Sequence, residues 1–201
     1  SVDRVDELYQ KRVRCIALTW NNSNQLATGA GDNNPLYGLT PLGRQVVLRM
    51  NTLGIVLDVA HLSDMAFYEA AQVNKRPFVA THSNSRSVCY HPRNLSDEQF
   101  SIIKKSNGVV GINLYPLFLN GSDKAGLKDI ISHIEYFCSI GGADNIGIGA
   151  DFDGIDKTPQ KIRGIEDIYL LLDELLRLNY SYQLVENIAS GNFLRVFSGT
   201  M

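Results

Sequence analysis

Cysteine is scarce in this chain. Among 201 residues there are three, Cys15, Cys89 and Cys138. Their number is odd and their spacing matches no thiolate metal site. That excludes a disulfide-stapled scaffold and points to a reducing compartment, so a cytoplasmic location is expected. Cys15 and Cys138 stand among apolar neighbours and are expected to be buried thiols. Long apolar runs are missing too. None approaches the roughly 20 residues of a membrane helix, so no transmembrane segment is expected. The opening Ser1-Val2-Asp3-Arg4-Val5-Asp6 lacks the apolar stretch of a signal peptide. Neither charge sign dominates: 19 Lys and Arg against 21 Asp and Glu leave a net charge of −2. That balance gives no footing for nucleic acid. Repeats and low-complexity tracts are absent. What remains is an ordinary globular composition, 44% hydrophobic and 20% charged, enough for a single domain over residues 1–201 with a sizeable core.

The order of elements follows from periodicity and caps. Residues 2–12 read as a short amphipathic helix with Val2, Val5, Leu8 and Tyr9 on one face. A first strand covers 15–19. A polar loop of unusual length follows, from Trp20 to Gly38. Thr40-Pro41 opens a helix with an apolar face at Val46, Val47 and Met50, ended by Gly54. A second strand runs to His61, and Ser63 caps a helix over 64–73. The third strand spans 77–82. Ser96-Asp97-Glu98-Gln99 is a capping box. The fourth strand spans 109–114, a helix follows over 127–140, and the fifth strand spans 145–151. Residues 165–178 form a strongly apolar helix, and 181–197 one more helix or a broken pair. Strands alternating with helices predict an α/β protein with a parallel sheet and right-handed crossovers. Five strands suit either an open sheet or most of a barrel that in full has eight strands and about 250 residues. Periodicity leaves that choice open.

Three apolar runs end in residues able to bind metal or move protons. They are Ile55-Val56-Leu57-Asp58-Val59-Ala60 before His61, Phe78-Val79-Ala80-Thr81 before His82, and Ile146-Gly147-Ile148-Gly149-Ala150 before Asp151. In a barrel the C-terminal strand ends converge on one site, so these residues would meet there. His61 and His82 lie one strand-helix-strand repeat apart and are candidate metal ligands. Asp151 is a candidate acid/base beside the metal. Asp153 is read as turn chemistry in Asp-Gly. Asp58, inside a strand, is assigned no chemistry. Arg93 lies in the loop after His82, where a guanidinium fork suits a carboxylate. Arg86 is read as a surface arginine, and His91 and His133 as structural. Trp20 ends the first strand and should face the same site. Two imidazoles and a carboxylate at strand ends point to a metal-assisted hydrolase.

Asp58-Val59-Ala60-His61-Leu62-Ser63, then Thr81-His82-Ser83-Asn84-Ser85-Arg86-Ser87-Val88-Cys89 with Pro92-Arg93-Asn94-Leu95, then Gly149-Ala150-Asp151-Phe152-Asp153-Gly154 together resemble the membrane (renal) dipeptidase family of metallopeptidases. The similarity runs nearly end to end, from Gly38-Leu39-Thr40-Pro41-Leu42-Gly43 to Asn192-Phe193-Leu194-Arg195-Val196-Phe197. The resemblance implies a TIM barrel, here about five of its eight strands, with two zinc ions and hydrolysis of dipeptides by water activated at the metal. It further implies that His61 and His82 ligate zinc, that Arg93 binds the substrate carboxylate, and that Asp151 is the catalytic acid/base, also in contact with substrate.

Two departures stand against that pattern. The family places a His-x-Asp pair and a metal-bridging glutamate earlier in the barrel, and no His-x-Asp occurs in this chain. The family also has a histidine at the end of the fourth barrel strand, where Trp20 stands here; an indole donates one hydrogen bond and carries no charge. Three readings therefore remain: a zinc-dependent dipeptidase, another metal-dependent amide hydrolase on the same barrel, or a truncated, inactive member with a non-catalytic role. Missing barrel strands leave open sheet edges, which predict self-association into a homo-oligomer and weak metal binding by the chain alone.

Overall fold

A computed structural model describes residues 1–32 and 37–199. Part of the long loop expected over 20–38, residues 33–36, lies outside the described residues. Five strands, β1 (Cys15–Ala17), β2 (Val56–Asp58), β3 (Val79–Ala80), β4 (Val109–Ile112) and β5 (Ile146–Ile148), form one sheet in the order of the sequence. Every neighbouring pair is parallel. Because the order never reverses, the sheet has no switch point of the doubly wound kind. Right-handed crossovers taken always in one direction stack the helices on one face and curl the sheet toward the other. This is the arc of a barrel, so the choice left open by periodicity falls to the partial TIM barrel.

The register sorts the side chains. Leu57, Ala80, Val110, Ile112 and Ile146 point into the main core, beneath the helices that connect the strands. Val56, Val79 and Val109 point the opposite way and form a smaller cluster with Val196. The helices start and stop where the caps demand. Thr40 accepts from Gly43 N–H to open α2 (Pro41–Leu53), and Gly54 closes it in the left-handed region, φ 76°. Ser63 caps α3 (Asp64–Val73), and Ser96 with Gln99 completes a capping box at α4 (Asp97–Lys105). The amphipathic N-terminal stretch is α1 (Asp3–Gln10), in which Val5 is buried and Leu8 remains exposed.

Several expectations need correction. The strands are shorter than the apolar runs suggest, because past Val59 and Ala80 the next backbone donor turns to a side chain instead of the ladder. Ala60 N–H and Thr81 N–H both donate to Asp58 Oδ1, each at 3.0 Å. A short helix, α5 (Pro116–Asn120), follows β4, and α6 (Leu127–Ser139) precedes β5. The apolar 165–178 stretch divides into a 3-10 turn and α7 (Tyr169–Arg177). The C-terminal region, expected as one helix or a broken pair, is a helical stretch in which α8 (Tyr182–Glu186) passes through a π turn (Asn187–Gly191) into α9 (Asn192–Ser198). In α9, Phe193 and Phe197 pack on the small valine cluster. Arg195 ties α9 to Asn107 and Asp144, just ahead of β4 and β5. The helix thus plugs the end of the sheet opposite the strand C-termini. Of the cysteines, Cys89 is buried, while Cys15 and Cys138, expected to be so, are only half-buried; all three are free thiols.

Candidate active site

The site is built on a hydrogen-bond relay between β2 and β3. Pairing of Asp58 with Val79 brings the Asp58 carboxylate beside the first residues past β3. There Thr81 Oγ1 donates to Asp58 Oδ2 at 2.6 Å and lies 2.8 Å from His82 Nδ1. A carboxylate only accepts, so the single hydroxyl proton belongs to Asp58. The Thr81 oxygen must then accept from His82 Nδ1–H, which leaves Nε2 of a neutral His82 bare. This tautomer is assigned from the network.

His61 sits on the turn after β2 and presents its own Nε2 to that of His82 at 2.8 Å. Arg93 Nη2, which can only donate, lies 3.2 Å from the same His61 nitrogen. His61 Nε2 is therefore an acceptor as well, and its buried Nδ1 has no partner. Burial pushes the His61 pKa down to about 3, with the neighbouring Arg93 and His82 charges adding to the effect. Burial lowers His82 too, against the Asp58 and Asp151 carboxylates, which raise it. Two neutral imidazoles thus direct lone pairs at each other, an arrangement that a shared metal cation relieves. Donor chemistry and orientation both fit zinc. Among the described residues, no group of three His, Cys, Asp or Glu side chains converges to complete a shell, so the two imidazoles are half of a tetrahedral set.

Arg93 is 7% exposed and makes no ion pair among the described residues. Its Nη1 has no hydrogen-bond partner. Burial lowers its pKa to about 10, opposed by the Asp151 and Asp58 carboxylates. The guanidinium stands 5.7 Å from the Phe118 ring centroid, and its backbone N–H donates to His91 Nδ1 at 3.1 Å. A desolvated cation with a free donor has to meet an anion to be tolerated.

Asp151 follows β5 with φ 63°, a left-handed conformation that costs most residues energy and that Asp tolerates. Asn113, just past β4, donates to Asp151 Oδ2 at 3.0 Å. His61, Arg93 and Asp151 share a cavity of about 300 Å³ with Trp20, Tyr115, Phe118, Ile155 and Asp156. Trp20 stands at the mouth, 70% exposed, its ring centroid 6.5 Å from that of His61. The strand ends therefore bring together His61, His82, Arg93 and Asp151. Asp153 is exposed, in the turn.

Other assignments shift. Arg86, expected at the surface, is half-buried: both of its terminal nitrogens grip Asp64, at 2.8 and 2.9 Å, and Nε donates to Asn94 O. It stiffens the loop that carries Arg93. His133 is fully buried and props the same loop, accepting from Ser85 N–H at 3.1 Å and facing Leu119 O at 2.9 Å. Sequence reasoning missed Thr81, Asn113, Tyr115 and Phe118. Asn113 carried a usable signal, a polar residue ending an apolar run in the same manner as His61 and His82.

Residues 1–200 match the family model for membrane dipeptidase, peptidase family M19. An uncharacterized protein in the pqqA 5' region of Klebsiella pneumoniae is 34% identical over 94% of this chain and 72% of its own length. An uncharacterized dipeptidase of Schizosaccharomyces pombe is 34% identical over 96% of this chain. Among solved structures, the metallo peptidase of Rhodobacter sphaeroides, liganded with a phosphinate mimic of the dipeptide L-Ala-D-Ala, superposes with a TM-score of 0.91 at 29% identity and covers the whole chain. This chain spans about half (48%) of the yeast relative and 60% of the solved one. Motif order, strand-end geometry and these matches agree that the chain belongs to the membrane dipeptidase family of peptidases, M19.

Proposed function

We propose that residues 1–201 form one domain, part of the barrel of a zinc dipeptidase that takes substrates with a free C-terminal carboxylate. The observation that carries this reading is Arg93, a buried cation with no ion pair among the described residues and a free Nη1, adjoining two imidazoles with converging lone pairs. His61 and His82 would hold a metal ion. When bound, the metal supplies Lewis-acid polarisation of the carbonyl and an activated water. The rest of its ligand set would come from the part of the relatives' length that this chain does not span. Arg93 fixes the carboxylate and thereby the peptide bond. Asp151 takes the proton from the attacking water and returns it to the leaving amine. Asn113 holds that carboxylate in place. The free thiols favour a reducing, cytoplasmic setting, and the strand edges at β1 and β5 favour a homo-oligomer. Among the described residues no helix is long and apolar enough to cross a membrane.

The test compares a dipeptide with its C-terminal amide in the metal-loaded protein. Hydrolysis of the free acid alone, lost in Asp151→Asn without loss of metal, is expected. Equal turnover of the amide would remove Arg93 from its role and favour a more general amide hydrolase.

A further inference from the structure

The wall above the catalytic groups is aromatic, and nothing in the mechanism uses it. Trp20 forms one side, on the segment leaving β1, and Tyr115 with Phe118 forms the other, on the segment leaving β4. Trp20 is anchored from behind. Its chain runs so close to Gly29 that a Cβ there would lie 2.7 Å from Trp20 O and 2.4 Å from Asn21 O. Phe118 is held edge-on by Tyr115, with ring centroids 4.9 Å apart, and lies 4.4 Å from the His91 ring. The Phe118 ring and the Trp20 backbone are therefore held in place, and the Trp20 side of the wall is 70% exposed. Exposed, positioned apolar surface beside polar catalytic groups gains free energy only when something covers it.

We propose that Trp20 is a specificity-determining residue, selecting dipeptides with a large apolar side chain, which packs on the indole between it and the Tyr115–Phe118 pair. This deepens the dipeptidase reading and rests on it. Trp20 makes this interaction only if substrate is held by Arg93, because the two residues line one cavity. Asp156 lies on the same rim, and burial together with that carboxylate raises the pKa of the Tyr115 phenol. It is the competing feature: it would draw a cationic side chain.

Two measurements on the full, metal-loaded protein separate the outcomes. In the first, kcat/KM is compared for Leu-Leu, Gly-Gly and Lys-Lys. Leu-Leu is expected to exceed Gly-Gly by on the order of tenfold or more. In Trp20→Ala that ratio should collapse through KM, while Trp20→Phe retains most of it. An unchanged ratio in Trp20→Ala, or a preference for Lys-Lys, overturns the proposal. In the second, which needs no turnover, emission is read as the difference between wild type and Trp20→Phe, which isolates the Trp20 signal. Leu-Leu in an Asp151→Asn background should shift the emission to the blue, and Gly-Gly should not. If no dipeptide is hydrolysed, the dipeptidase reading fails by itself. The emission shift then decides the packing claim alone, and its absence refutes it.

Discussion

Replacing Thr81 with valine removes one oxygen and almost no volume, yet it should change which nitrogen of His82 carries the proton. In the native site the Thr81 hydroxyl donates to Asp58 Oδ2 at 2.6 Å and accepts from His82 Nδ1 at 2.8 Å. Without it, Asp58 keeps its two backbone donors, Ala60 N–H and Thr81 N–H, and loses one charge-assisted bond, a loss of about 1.5–3 kcal/mol of stability. His82 Nδ1–H loses its acceptor altogether. A hydrogen bond of about 1–1.5 kcal/mol is worth up to about tenfold in tautomer ratio. The Nε2–H form, which can donate to His61 Nε2 across the 2.8 Å contact, should then prevail.

Long-range proton–nitrogen correlation on the metal-free chain reads this directly. Wild type should show His82 protonated at Nδ1, Thr81→Val at Nε2, and Thr81→Ser should restore the native pattern. In the metal-loaded protein the valine variant should bind zinc about 10- to 100-fold more weakly, as for other residues that orient ligand imidazoles. An Nδ1–H His82 in the valine variant would refute the relay. So would wild type found with its proton already on Nε2.

Arg93→Lys keeps the charge and loses the planar fork, so kcat/KM on a dipeptide should fall on the order of tenfold or more; retention of wild-type efficiency would exclude two-pronged binding. The native His61 stays neutral down to about pH 3, whereas the unfolded histidine takes a proton near 6.5. The unfolded state therefore binds more protons in that window, and metal-free stability must fall as pH drops through it. Burial lowers His82, His91 and His133 as well, so urea midpoints should decline between pH 7 and 5, above the carboxylate range; a flat profile would contradict this. Phe100 is fully buried and stacked on Phe137 with ring centroids 4.2 Å apart; Phe100→Ala should cost about 3–5 kcal/mol in a denaturant titration. His133→Leu strands the Ser85 N–H and the Leu119 carbonyl; it should destabilise by about 2 kcal/mol or more and remove hydrogen-exchange protection at Ser85.

How much of this was legible in the sequence depends on distance along the chain. Helix starts were local: Thr40, Ser63 and Ser96 each bond a backbone N–H three residues on, so the cap and the pattern it opens fall in one window. Strand existence was equally local, since the Val- and Ile-rich runs are buried on both faces. Strand ends were not. β2 and β3 stop early because donors on two different strands turn to one Asp58 carboxylate, and no single window contains both. The π turn at Asn187–Gly191 has no sequence mark, for the residues around it form helix equally well either way. Barrel or open sheet was a question of order and curl, which only the pairing of five distant segments answers.

The site divides along the same line. His61, His82 and Asp151 could be found because strand ends in parallel α/β sheets share one edge, so three local patterns predict one meeting place. What they do there depends on the register. Asp58 was assigned no chemistry, and by itself it has none. It acquires a role because its pairing with Val79 puts Thr81 within reach and thus fixes the proton on His82. Shift that pairing by one residue and the carboxylate turns to the other face of the sheet, while both histidines would still end their strands. A sequence pattern thus names the candidate ligands, but the proton placement on His82 that would suit a metal resides in a pairing between strands. For that reason Thr81, which reaches the proposed site through Asp58 and His82, is the residue whose loss best distinguishes a working site from a resemblance to one.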